Sequence, residues 1–374
     1  MNDLRKALFR ALEKSDINML RAVLAQGVSL AYEEGDPEPV FFALAIYRST
    51  DIESLQLLLS AGADITVREF EYQDSLLHWY VNEESDAILP WLIAQGLDVN
   101  AQNVKGRTPL TFAVYGLHPE NSSAQMERAR RDVGRLLDAG ADINLGDADG
   151  TTSLHTAAYW GAPEVVDFLL SRGAHANAAR RNGETPLHLI AAMPGDSVTP
   201  GHAAVIDQLL AAGADINRVD EDGYTVLSCT PLHGNHEVAR KLLACGADIA
   251  AAGARALRDA VSGEDDELLD LFIAAGSAVD TQYADEQLTP LILAAHEGYF
   301  YGIKTLLDHG ANIEAITVDG ETPLLNAVRK QRYDCVALLL ERGANRHHTD
   351  LYSNTALSWA TRLQDARLIE LLTS

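Results

Sequence analysis

Three cysteines in 374 residues are too few, and odd in number, for a disulfide framework. Cys229, Cys245 and Cys335 also lack metal-ligand spacing, so reduced core residues of a cytoplasmic protein are expected. No apolar run approaches the ~20 residues of a membrane span. The opening segment MNDLRKALFRALEKS reads as an amphipathic helix and lacks the charged-then-apolar order of an export signal. Positive charge is also scarce: 29 Lys and Arg stand against 54 Asp and Glu, a formal charge of −25. A field of that sign repels nucleic acid and anionic lipid and favours a protein partner with a basic surface. Serine-nucleophile, phosphate-loop and zinc signatures are missing, and no cofactor motif is found.

A chain of this length ordinarily divides into two or three cores, unless its sequence repeats. It does repeat. A leucine run followed by glycine recurs as LLLSAGADI, LLDAGADIN, FLLSRGAHAN, LLAAGADIN, LLACGADIA, LLDHGANIE and LLLERGANR, with looser copies VLAQGVSL, LIAQGLDVN and FIAAGSAVD. The glycines are Gly27, Gly62, Gly96, Gly140, Gly173, Gly213, Gly246, Gly276, Gly310 and Gly343, spaced by 35, 34, 44, 33, 40, 33, 30, 34 and 33. Repeats one to ten are numbered here by these glycines. In Thr152–Gly173, Thr152 is a candidate N-cap, Ala157 and Ala158 permit close packing, and Gly161 ends a first short helix. Val165, Val166, Leu169 and Leu170 then form the i, i+3, i+4 stripe of a second helix closed by Gly173. Pro109, Pro186, Pro290 and Pro323 occupy the first helical position, where no hydrogen bond is lost.

A period near 33, the tetrapeptide TPLH at 185–188 and 230–233, and this wording together resemble the ankyrin repeat. The resemblance implies an all-α repeat solenoid: a finger-like hairpin and two antiparallel helices per repeat, in a curved array with a concave groove. About eleven units cover the chain, leaving no stretch for an appended catalytic domain. Degenerate repeats are expected over 1–66, regular ones over 67–347 with insertions near 117–127 and 194–202, and a C-terminal cap over 348–374.

From leucine to closing glycine the regular unit is 19 residues, as in Leu154–Gly173, Leu291–Gly310 and Leu324–Gly343. On this ruler Leu227 precedes Gly246, so TVLS at 225–228 starts repeat seven and the TPLH at 230–233 lies out of register. Pro231 then falls inside the first helix, where an unbroken helix costs about 3 kcal/mol. A short or kinked helix near Thr230 is predicted, with Leu232 and His233 facing the groove. Repeats four (LHPENSSAQMERARR) and six (PGDSVTPGH) carry extra residues between their helices, read as loops on one edge. Repeat eight lacks three residues, so its finger is blunt, and its acids Glu264–Glu267 suit a helix N-terminus.

By resemblance, partners dock on the concave face, toward which the two residues after the Ala-Ala-like pair point. These are Tyr115 and Gly116, Tyr159 and Trp160, Met193 and Pro194, His296 and Glu297, then Arg329 and Lys330. Tyr115, Tyr159, Trp160 and Met193 form an aromatic and apolar interface candidate. Lys105, Arg107 and Arg181 on basic finger tips flank it, among acidic tips at Asp147, Asp149, Asp220–Asp222 and Asp285–Glu286. By the same resemblance His78, His155 and His188 hold structural positions at helix starts. His233 and His236 lack a third ligand at fixed spacing, which disfavours a metal site.

The function expected is non-catalytic binding of a protein, with no cofactor, by a monomeric array. An inhibitor or immunity protein that sequesters a toxin is the sharper version. An adaptor with a second surface at Arg329 and Lys330 is the rival, and a groove-located active site is the enzymatic alternative.

Overall fold

The computed structural model describes residues 3–32, 39–46, 52–282 and 287–374, without the side chains of 44–46. The acidic tip expected at Asp285–Glu286 therefore lies outside the described residues. The chain is all-helical. Among the described residues there is no β-strand; an isolated antiparallel bridge joins Val219 to Thr225, and Leu288 also takes part in a bridge. It divides into two compact units, residues 1–181 and 182–374.

Repeat five shows how the sequence builds one layer. Thr152 adopts extended backbone and starts the helix Ser153–Tyr159, whose Leu154, Ala157 and Ala158 are buried. Gly161 turns the chain with φ 61°, and Pro163 begins the antiparallel helix Pro163–Ser171. Val165, Val166 and Leu169 face inward at no more than 2% exposure, each burial contributing about 1.5–3 kcal/mol. The ten closing glycines all take φ between 72° and 99°, the left-handed region that side chains with a Cβ resist. That shared angle explains why glycine is the most regular letter of the repeat.

The fingers differ from the expected hairpins. Among the described residues several are tight turns closed by a backbone bond, as where Asn103 N–H donates to Arg107 C=O at 3.0 Å and Asp147 to Thr151 at 3.0 Å. Successive turns also bond to one another. In the first unit Val104 N–H donates to Tyr72 C=O, Ala148 to Lys105 and Arg181 to Asp149, each at 2.8 Å. In the second, Glu221 donates to Asn182 and Leu351 to Asp319, both at 2.9 Å.

Both insertions differ from the loops expected. In repeat four Ser122 and Gln125 form a capping box, and the added residues lengthen the second helix to Ser123–Asp138. This helix folds back on repeat three: Asp132 accepts from Asn82 N–H at 2.9 Å, and Arg131 and Arg135 reach Asp86. In repeat six a 3₁₀ turn, Gly195–Ser197, leads to the helix Pro200–Ala211, capped by a Thr199–His202 pair. Gly195 packs so closely on Gly234 that an added Cβ would lie 2.3 Å from that carbonyl oxygen.

Repeat seven is kinked as its proline requires. Two 3₁₀ segments, Leu227–Cys229 and Pro231–His233, replace the first helix. In repeat eight the finger is gone, and Ile249–Ser262 is helical throughout. Its acids do more than complement the helix dipole. Asp265 caps Asp266–Ala274 and meets His236 at 2.7 Å, Glu267 pairs with Arg240, and Asp266 accepts from the Tyr299 hydroxyl at 2.6 Å. Leu368 and Leu372 of the final helix are buried, while Ile369 and Leu371 are half-buried.

Candidate binding surface

In the first unit an aromatic row crosses three repeats. Tyr115 ends the helix Pro109–Tyr115, and Trp160 follows Ser153–Tyr159, so the layer stacking brings the two rings to 5.9 Å. Phe112 lies 6.4 Å from Tyr115, and His78 meets Phe112 edge-on at 5.2 Å. His118, from the insertion of repeat four, sits edge-on to Trp160 at 4.8 Å. It covers part of that ring, leaving Trp160 half-buried while Tyr115 (37%) and Tyr159 (51%) stay exposed. Gly116 is a packing position instead of a contact residue: a Cβ there would lie 2.5 Å from the Asn82 side chain.

The basic tips border this row. The Arg107 guanidinium lies 5.7 Å over Tyr115, and its Nε is buried without a hydrogen-bond partner among the described residues. Lys105 Nζ lies 5.1 Å over Tyr72, a ring 39% exposed. Such cation–π contacts contribute ~0.5–1 kcal/mol at exposed sites. Arg181 is exposed two tips further along, beyond the turn of Asp147 and Asp149. The acidic tips are largely turn-formers. Asp147 accepts from the N–H groups of Asp149 and Thr151, both at 3.0 Å, and in the second unit Asp220 accepts from Tyr224 at 2.8 Å. Asp149 and the second unit's Glu221 and Asp222 point outward.

In the second unit the expected residues scatter. Met193 is 6% exposed, which corrects its reading as a contact residue. The first helix of repeat six ends at Ala191, and Asn235 holds the Met193 carbonyl at 3.3 Å, drawing that segment inward. Leu232 is 50% exposed and His233 is exposed beside it, while His236 is committed to Asp265. Arg329 is bound to Glu321 at 3.1 Å, and Lys330 is exposed. Arg329, His296, Glu297 and Glu321 line a cavity of about 350 Å³ with Leu293 and Val318. Burial raises the Glu321 carboxyl above its usual range, against the lowering effect of Arg329. Among the described residues no group of three His, Cys, Asp or Glu is placed to hold a metal ion. Nor is any helix there long and apolar enough to cross a membrane.

The structural histidines sit where the resemblance puts them. Nδ1 of His78, His155 and His188 accepts from the N-cap N–H at 3.0, 3.2 and 3.2 Å. His78 Nε2 meets the Arg107 carbonyl at 3.0 Å, so this ring also fixes the finger that carries the candidate cation. His202 repeats the device at 3.0 Å, a use that the sequence reading missed although TPGH at 199–202 carries the signal.

Residues 77–180, 122–199 and 257–350 each match the family model for ankyrin repeats in three copies, and 182–221 match that for the single ankyrin repeat. The chain belongs to the ankyrin-repeat family, whose repeats are protein–protein interaction modules. It is 29% identical over 255 residues to human Rabankyrin-5 and 27% over 254 to the mouse protein, each match covering 66% of this chain. It spans only 18% of the length of either. It is also 27% identical over 270 residues to a zebrafish (Danio rerio) protein described as putative palmitoyltransferase ZDHHC13, covering 68% of this chain and 35% of that one. Among solved structures, the human ASB11 ankyrin repeat domain aligns at 25% identity and TM-score 0.49, covering 59% of this chain and 96% of that one. The Bcl-3 ankyrin repeat domain aligns at 24% and 0.41, covering 72% and 100%.

Proposed function

We propose that this chain is a non-catalytic binding protein whose partner docks on the finger-and-first-helix face of repeats four and five. The observation that carries this is the Tyr115–Trp160 row with Tyr159 beside it, flanked by cations. Large rings held at an exposed edge by neighbouring rings are rigid and lose little entropy on contact, as interface hot spots require. The charge of −25 supports a partner whose body is basic and whose approach is steered electrostatically. The sharper reading, an inhibitor or immunity protein that sequesters one effector in the cytoplasm, draws its support from the same field. The cavity at repeats nine and ten favours a second reading, an adaptor with another contact surface around Arg329 and Lys330.

The test is a pull-down from the source cells with the intact chain, quantified against Tyr115→Ala/Trp160→Ala and Arg329→Glu/Lys330→Glu variants. Loss of the major partner with the aromatic pair alone supports a single face. Loss of different partners with the two variants supports the adaptor. Unchanged recovery in both sinks the groove reading.

A further inference from the structure

We infer that the finger tips of the first unit receive an acidic peptide segment of the partner, its carboxylates meeting Lys105, Arg107 and Arg181. This rests on the proposed docking face and adds the chemistry of what enters it. The argument starts from how the first unit spends its cations. On and beside the helices many find carboxylates: Arg172 with Asp138, Arg131 with Asp86, Arg135 with Asp86 and Asp132, Arg130 with Glu164. In a chain with 54 acids to 29 bases that is the expected outcome. Yet Lys105, Arg107 and Arg181 have no ion-pair partner among the described residues. All three lie on tips joined by backbone bonds, through Ala148 to Lys105 and Arg181 to Asp149.

Several nearby acids are engaged elsewhere. Glu69 accepts from the N–H groups of Glu71 and Tyr72, Asp74 accepts from Asn103 Nδ2 at 2.8 Å, and Asp147 closes its own turn. Asp149 and Glu71 are opposing charges left exposed on these tips. Tyr72 and Tyr115, under Lys105 and Arg107, orient the two cations before any ligand arrives, so less side-chain entropy is lost when a carboxylate binds. Apolar residues of the same segment would lie on Tyr115 and Trp160. Cations beside exposed rings also resemble a platform for single-stranded nucleic acid. The charge of −25 and Asp149 among the cations disfavour a long polyanion, whereas a short peptide presents few charges to that field.

A phage-displayed random peptide library selected against the intact chain tests this, with synthetic copies of enriched peptides measured by fluorescence anisotropy. The expected motif combines Asp or Glu with Trp, Phe, Tyr or Leu. Affinity should fall about 10-fold or more in Lys105→Glu/Arg107→Glu and in the neutral Lys105→Gln/Arg107→Gln. Replacing the peptide's acids by Asn and Gln should do the same. Unchanged thermal melting would show that both variants remain folded. Basic or uncharged motifs overturn the inference, as does binding that is lost in Tyr115→Ala/Trp160→Ala but kept in both charge variants; the docking face then survives. If no peptide is enriched, or binding depends on neither pair, both readings fall. Binding of oligo(dT) or oligo(U) that exceeds that of every acidic peptide also overturns it.

Discussion

The buried histidines at the helix starts carry a pH dependence that the rest of the chain does not dictate. Desolvation lowers the His78 and His188 imidazoles below their ordinary value, against the raising effect of the carbonyls at Nε2. The unfolded chain protonates near pH 6.5, so below that pH it binds protons that the folded chain refuses. Stability is therefore full above pH 6.5 and declines as the pH drops through it. Urea denaturation should give a lower midpoint at pH 5.5 than at 7.5, and His188→Ala should reduce both the difference and the stability, the latter by about 1–3 kcal/mol. An equal midpoint difference in the variant would contradict this origin. The thiols divide in the same way. Burial pushes Cys229 up to about 12 and Cys335 up to about 11, while Cys245 is half-buried at the end of the helix His236–Ala244. Iodoacetamide followed by mass spectrometry should find Cys245 alkylated first, the other two only in denaturant. The sequence reading placed all three in the core and missed this difference, because register fixes which face a residue shares but not how well the next layer covers it.

At the scale of elements, the legible part was the frame and the obscure part was what fills its gaps. Leucine-to-glycine spacing located repeat seven, and Pro231 forecast its break; both follow from backbone rules that act locally. Met193 was misplaced because its position depends on where repeat six ends its helix, which Asn235 helps set from 42 residues away. The helical insertion was readable, since SSAQ at 122–125 is a capping-box pattern, but it was passed over as loop. Asn235 is fully buried, caps Val238 N–H and donates to the carbonyls of Ile190 and Met193. Asn235→Ala should cost about 2–4 kcal/mol by leaving those groups unpaired. Amide hydrogen exchange should show the loss spreading from repeat seven into the loop after Ala191. Asp132→Ala should act likewise in the first unit, stranding Asn82 N–H and freeing the front of Ser123–Asp138 at about 1–3 kcal/mol. Exchange unchanged at residues 123–131 would show that the long helix holds without that anchor.

The molecule as a whole is a sum of neighbouring layers, and its unfolding should show it. Stability in such arrays is set repeat by repeat, so one transition need not describe both units. The four tryptophans report on this: Trp79, Trp91 and Trp160 lie in the first unit and Trp359 in the second. A Trp359-only variant with the other three changed to Phe, compared with Trp359→Phe, should unfold in urea with a different midpoint. Coincident curves would mean that the array melts as one body.

The row of bonded finger tips also gives the chain a mechanical character. Peptide groups clasped from tip to tip resist shear as rungs do, each holding two neighbours at a fixed rise. In the second unit the row lapses at repeat eight, where Ile249–Ser262 is helix and offers no tip to clasp. A pull along the second unit would stretch that interval first, because no backbone hydrogen bond from tip to tip opposes it there, only side chains such as the His236–Asp265 pair. The three residues missing from one repeat thus set where the second unit yields, making it a spring with one soft coil.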